Sequence, residues 1–425
     1  MQLFQFKNLM DGIGIKREGT PSIHFHLSLF FMNLFKIARI SHLNDLSCKN
    51  RKLFAFLAGT KDVLEQSGLH KFFDLFSAKH AEKFMILVGI KSMEIMQMAD
   101  GKTRENTKIP VANIDIHATQ RFTEKDIPGT QISGKNISAK ATKIIAVQDQ
   151  LRKIMLCITT NFGESKPCEM LVECLHKIKN ICGEYPLCVC FDLGFYNGKM
   201  FELLDKTLSI KFITLVKRGT KAATIINEVS TAVFEPVELT SVHRKYKKAL
   251  ACDTRTDKVT HYNGTLRLII VKFKGKKKRV AFLTNDMNSS VSQIIETYAK
   301  RWRVENWFKD AKDFFNMDDL PGFDETKLDA YLTYKQLVSN MFAVIRQELK
   351  ITYCPSTFYR KFICTSATVK VTETRIIVEY DPFKGQGKFK KLFCNMNHRL
   401  EQLGVKPQVQ WLGNRVIVFK FKDLK

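Results

Sequence analysis

Apolar residues recur at a spacing near 3.6 through NRKLFAFLAGTKDVLEQSG and HKFFDLFSAKHAEKFMILVGIKSMEIMQM, which predicts a mostly helical region over 1–105, punctuated at Gly68 and Gly101. From 110 the period changes. PVANIDIHATQ reads as a strand with Asp115 near the far end of its apolar run, and TKIIAVQDQ with KIMLCITTN reads as a hairpin. SKPCEMLVECLHKIKNIC predicts a helix with Ser165 as N-cap and Pro167 in its first turn. PLCVCFDLGFYNG is a continuous apolar run of the kind buried in parallel sheets, and it ends at Asp192 followed by Gly194. A helix over KMFELLDKTL and a strand over KFITLVKR complete the series. Strand, hairpin, helix, strand, helix, strand is the order of a mixed sheet with helices on its faces. Asp115 and Asp192 then fall at one sheet edge, where open α/β sheets place their sites.

Residues 219–280 interrupt this series with strongly basic, β-rich sequence: HRKYKKAL, TLRLIIVKF and KFKGKKKR. A structureless loop of that length is unfavourable in a compact domain, so a small inserted β subdomain is expected. RVAFLTN returns as a strand, and Ser290 with Gln293 forms a capping box opening the next helix. That helix carries YAKRWRVENWFKDAK. At about 100° per residue, Tyr298, Arg301, Glu305 and Lys312 share one face, beside an apolar stripe of Val304, Trp307, Phe308 and Ala311. A solvated run of charge pairs is the plain reading of such a stripe. An acid among cations at the border of a core calls for a further reason. KLDAYLTYKQLVSNMFAVIRQELK is again helical, and the tail after 368 holds strand-like VKVTETRIIVEY and NRVIVFKF around a basic loop, KGQGKFKK.

The 425 residues carry a formal charge of +26, which points to a polyanionic partner, nucleic acid before an anionic membrane surface. The longest apolar run, LSLFFMNLF, is too short to span a bilayer and lacks the context of a secretory signal, so an intracellular protein is expected. The 11 cysteines include no CxxC pair and are an odd number, which favours reduced core thiols over a disulfide framework.

Three acids on three separate elements, Asp115, Asp192 and Glu305, suit a pair of hard divalent cations, the arrangement used in phosphodiester chemistry. Asp126 and Asp149 are fallbacks for the first acid, Asp149 being a hairpin-turn residue. His117 lies on the same face of the strand as Asp115.

The spacing Tyr298, two residues, Arg301, three residues, Glu305, six residues, Lys312 resembles the Y-(2)-R-(3)-E-(6)-K signature of the insertion-sequence-four-like group of DDE transposases. DLGFY at 192–196 resembles the context of their second acid, and AFLTN resembles the strand before their glutamate; the resemblance covers about 110–345. It implies an α/β, RNase H-like mixed-sheet core at 106–350 interrupted by the insertion at 219–280. This core is flanked by a helical region (1–105) that binds DNA ends or caps the core, and by a small basic β-containing region (351–425). Asp115, Asp192 and Glu305 would hold two magnesium ions, with manganese able to substitute. Tyr298, Arg301 and Lys312 would contact DNA at the transposon end. Trp302, beside them, would either stack on an unpaired base or pack into the core. The partners implied are double-stranded DNA, at transposon ends and target, and a second copy of the chain on that DNA, with no membrane and no small-molecule substrate. Two other readings fit the same acids: a DNA-binding descendant that no longer cleaves, and a structure-specific nuclease of RNase H-like fold.

Overall fold

Helical spacing in the N-terminal region resolves into α1 (Phe6–Ile13), α2 (Ser22–Leu34), α3 (Cys48–Leu57), α4 (Gln66–Phe73) and α5 (Ala78–Ala99). The computed structural model describes residues 1–2, 4–99, 108–121, 130–134, 137–161, 166–240, 248–273, 278–322, 324–348, 350–383, 385–402 and 404–422. Gly68 sits inside α4 rather than between helices, and Gly101 lies outside the described residues. Two compact units make up the chain, one over 107–308 and one formed by 1–106 together with 309–425.

The unit over 107–308 is built on β1 (Ala112–Gln120), β2 (Thr130–Gly134), β3 (Ile137–Asp149), β4 (Met155–Asn161), α6 (Pro167–Cys182), β5 (Cys188–Phe191), α7 (Gly198–Glu202) and β6 (Lys211–Leu215). β1 runs antiparallel to β3 and parallel to β5, and β5 runs parallel to β6. This is the expected RNase H-like order, with β2 as an additional strand on β3. Every residue of β5 is buried, as a strand covered on both faces requires. Pro167 occupies the first turn of α6, where its missing N–H costs no bond; Lys166 is the N-cap, and Ser165 lies outside the described residues.

The insertion folds differently from the expected separate subdomain. After α8 (Lys221–Glu228), strands β7 (Glu235–Glu238), β8 (Lys248–Thr256) and β9 (Leu266–Phe273) join β10 (Val280–Thr284) and extend the main sheet in the order β6-β10-β9-β8-β7. The reason lies in β9, where Leu266–Val271 are buried without interruption. A strand that apolar has no face to give to water, so it pairs into the sheet, and Ile269 and Val271 join the core that also holds Cys190, Ile213 and Phe282. Much of the basic sequence here, 241–247 and 274–277, is outside the described residues.

Ser290 and Gln293 form the expected capping box at the start of α9 (Val291–Ala299). The helix does not continue to Lys312 as expected. It breaks, and α10 (Trp302–Asp313) begins anew.

In the other unit, α11 (Glu325–Glu348) packs along α5, with the Asn340 amide donating to the Ser92 hydroxyl at 2.9 Å. α12 (Pro355–Phe358) leads to a small sheet of β11 (Ala367–Val371), β12 (Arg375–Tyr380), β13 (Gln408–Val409) and β14 (Arg415–Phe421). The expected basic loop between the tail strands is instead helix α13 (Gln386–Gln402). Its Phe389 meets Tyr380 and Phe421 edge to face and its Phe393 stacks on Phe419, and that aromatic burial turns the segment helical despite its charge. Among the described residues no helix is long and apolar enough to cross a membrane. Of the cysteines, Cys157, Cys174, Cys182, Cys188, Cys190 and Cys252 are buried, whereas Cys48, Cys354, Cys364 and Cys394 are exposed; all are free thiols.

Candidate active site

Parallel pairing of β1 with β5 ends at Ile114 opposite Phe191. Asp115 and Asp192 are the next residue on each strand, so the register brings two acids side by side. Asp115 therefore marks the end of the β1–β5 pairing and not the end of β1, which continues to Gln120 along β3. One oxygen of Asp115 accepts the Ile116 N–H at 2.9 Å. Asp149, the fallback, is a turn residue: its carboxylate accepts the N–H groups of Leu151 and Arg152 and the Arg152 guanidinium. Asp126 lies outside the described residues.

The third acid arrives through the break between α9 and α10. Arg301 N–H bonds Tyr298 O at 2.9 Å, and Val304 N–H bonds Arg301 O at 3.0 Å, so two tight turns replace a continuous α-helical ladder. Tyr298 closes α9, Arg301 lies in the break, and Glu305 sits in the first turn of α10. Lys312 falls in the last turn of α10, in the other compact unit.

Arg301 is the centre of the arrangement. It is 4 % exposed, with Nη2 2.5 Å from Glu305 Oε1 and Nη1 3.9 Å from Asp115 Oδ2. Its Cζ lies 5.3 Å from the centre of the Tyr298 ring. Burial works against the guanidinium's charge, but Tyr298, Glu305, Asp192 and Asp115 together outweigh it and hold the proton more firmly than usual. Burial also raises the Asp115 carboxyl to about 6; Arg301 draws it down, while Glu305 and Asp192 push it up. Asp115 thus feels both of the other acids. Tyr298, 6 % exposed, packs against Phe282 at 5.3 Å in the sheet's core, and burial pushes its hydroxyl well above the ordinary value. Trp302 is 61 % exposed, which removes the core-packing alternative for this ring. The His117 ring lies 5.4 Å from the Phe308 ring, tilted at 44° to it.

The sequence reading missed the residues that hold the break in place. Asn113, fully buried, donates from Nδ2 to Lys300 O at 3.2 Å. Gln150 Nε2 donates to Thr297 O at 2.9 Å and to Asn113 Oδ1 at 2.8 Å, and Arg303 Nη1 donates to Gln150 O at 2.6 Å. An amide between the apolar Ala112 and Ile114 at the start of the strand was the available signal, since a buried polar side chain needs partners.

Asp115, Asp192 and Glu305 carry carboxylate oxygens, the ligand type of a hard divalent cation, while the buried Arg301 Nε and Nη1 beside them have no hydrogen-bond partner and offer donors to an anion. No group of three His, Cys, Asp or Glu residues among those described is drawn together tightly enough to hold a metal. The guanidinium supplies the positive charge in this arrangement.

Two strand-end acids and a helix-borne glutamate thus stand around one buried arginine. A family model described as the transposase DDE domain matches residues 106–341, more than half of the chain, and the chain belongs to that family. Among solved structures, the cryo-EM structure of the piggyBac transposase synaptic complex with hairpin DNA is similar, at 14 % identity over 93 % of this chain and 83 % of that one, with a TM-score of 0.42. No curated protein matches the chain.

Proposed function

We propose that this protein is a DNA transposase of the insertion-sequence-four-like group that binds the ends of its own element, hydrolyses the phosphodiester bonds there and transfers the freed 3′ ends to target DNA. The observation that carries this reading is the convergence of acids from three elements: Glu305 at 2.5 Å and Asp115 at 3.9 Å from the Arg301 guanidinium, with Asp192 next to Asp115 by the β1–β5 register. Asp115, Asp192 and Glu305 would hold two magnesium ions, with manganese able to substitute; bound there, the metals would activate the attacking oxygen and stabilise the leaving one. Asp115 and Asp192, fixed by adjoining strands, set one side of the site, and Glu305 closes it from α10. Arg301 shields the acids from one another when no other cation does so. On DNA it would turn toward phosphate, as guanidinium groups do well. Trp302, exposed one residue further on, would stack on a base at the end. Lys312 would contact phosphate at that end; Tyr298, expected there too but only 6 % exposed, would support Arg301 with its ring instead of touching DNA. The charge of +26 favours double-stranded DNA as partner, with affinity falling as salt rises. Handling of two ends implies two copies on the DNA.

The test is incubation of purified protein with magnesium and a duplex spanning the element's boundary. Nicks at that boundary, followed by joining to a second duplex, are expected. Boundary nicks without joining would favour a nuclease, and tight binding without nicks would favour a non-cleaving descendant.

A further inference from the structure

We infer that Asn113 and Gln150 are positioning residues for catalysis, clamping the break between α9 and α10 so that Glu305 faces the strand acids; this rests on the function proposed above. A helix that stops leaves its last carbonyls without N–H partners. Here Thr297 O would have accepted from Arg301 N–H, but that group has turned back to Tyr298 O. Gln150 Nε2 supplies the missing donor at 2.9 Å. Lys300 O, three residues on, receives Asn113 Nδ2 at 3.2 Å in addition to Arg303 N–H at 3.1 Å. The second Gln150 donor goes to Asn113 Oδ1, which fixes that amide with its nitrogen toward Lys300. Gln150 is itself anchored by its N–H to Val111 O at 3.0 Å and by Arg303 to its carbonyl. Both amides are buried, Asn113 at 0 % and Gln150 at 6 % exposure, so these bonds are shielded from competing water.

Asn113 precedes Asp115 by two positions on β1, and so lies on the same face of that strand. One strand therefore carries both an acid of the site and the amide that ties down the approach to its third acid. Without the clamp, the break could regain α-helical geometry, which would rotate α10 and turn Glu305 away from Asp115. The clamp makes the chemistry of the site depend on two buried amides whose bonds go to the backbone at the break and to each other.

The test compares full-length wild type with Gln150→Leu, which loses both donors, and Asn113→Asp, which keeps its size and the acceptor for Gln150 but loses the donor to Lys300 O. Boundary-DNA cleavage is measured as kcat and KM, together with amide hydrogen exchange over 297–305. Expected are a kcat lowered at least tenfold in Gln150→Leu and less in Asn113→Asp, a KM for DNA within twofold of wild type, and faster exchange confined to 297–305. Faster exchange with unchanged kcat, or unchanged exchange in a folded variant, overturns the inference. If Gln150→Leu fails to fold, Asn113→Asp decides by the same criteria. A wild type that cleaves nothing overturns the proposed function instead, whereas an active wild type with fully active variants overturns the clamp alone.

Discussion

Arg301 and Glu305 are joined at 2.5 Å across the start of a helix, the arginine lying in the break before α10 and the glutamate in its first turn. The pair is formed by four residues of chain, but it matters because Asp115 from β1 approaches the same guanidinium at 3.9 Å. Arg301 is therefore the counter-charge of an acidic cluster.

Removing that counter-charge should expose the cluster's repulsion. Arg301→Met is expected to lower stability by about 3 kcal/mol, the usual cost of breaking a buried ion pair on one side. Millimolar manganese should restore part of the melting temperature. Loss of stability that no divalent cation relieves would contradict the role given to the acids.

Glu305→Gln keeps the shape of α10 and removes one carboxylate. Cleavage at the boundary should fall below detection, while affinity for boundary DNA, read by fluorescence anisotropy, should stay within about twofold, because Glu305 offers no donor to phosphate. A large loss of binding would sink this assignment.

Asp115 sets a pH dependence whose sign follows from its carboxyl being held at about 6 instead of 3.8, first by burial. Between those values the folded chain keeps a proton that the unfolded chain has lost, so this group's contribution to stability falls as pH rises from 4 to 6 and stays reduced above that. Asp115→Asn, which cannot ionise, should exceed wild type in stability near neutral pH by up to about 3 kcal/mol and match it near pH 4. Denaturant titrations at both pH values decide it. An advantage that did not change with pH would point to packing.

Trp302 is more than half exposed, so its removal should cost the fold little. Trp302→Ala is expected to leave the melting temperature within about 1 °C and to weaken binding to DNA with an unpaired end by about 1–3 kcal/mol. Blunt duplex should be affected less. Equal losses on both substrates would argue against base stacking.

Gly198 opens α7 with no room for a side chain: a Cβ there would stand 1.9 Å from Thr260 O. Since backbone cannot move aside cheaply, Gly198→Ala should destabilise the unit over 107–308 by at least about 2 kcal/mol. An alanine variant as stable as wild type would mean that the 258–264 segment yields readily.

Much of this protein was legible in its sequence because its cues are local. The continuous apolar run at 188–191 could only be a strand buried on both faces, and Ser290 with Gln293 marked a helix start through bonds made within one turn. The acids Asp115 and Asp192 stood out for the same reason, each polar at the end of an apolar run. Spacing alone could not say that α9 and α10 are separate helices, since the break is held by Asn113 and Gln150, side chains 187 and 147 residues away from the carbonyls they bind. Nor could it say that β9 joins the main sheet, or that KGQGKFKK begins a helix, because each outcome depends on apolar area covered by distant chain. The sequence by itself determined the periodicities, the caps and the identities of the charged side chains, all carried by neighbours in the chain. Tertiary structure alone decided which of those charges meet, because buried polar groups take their partners from wherever the fold brings them and water does not reach.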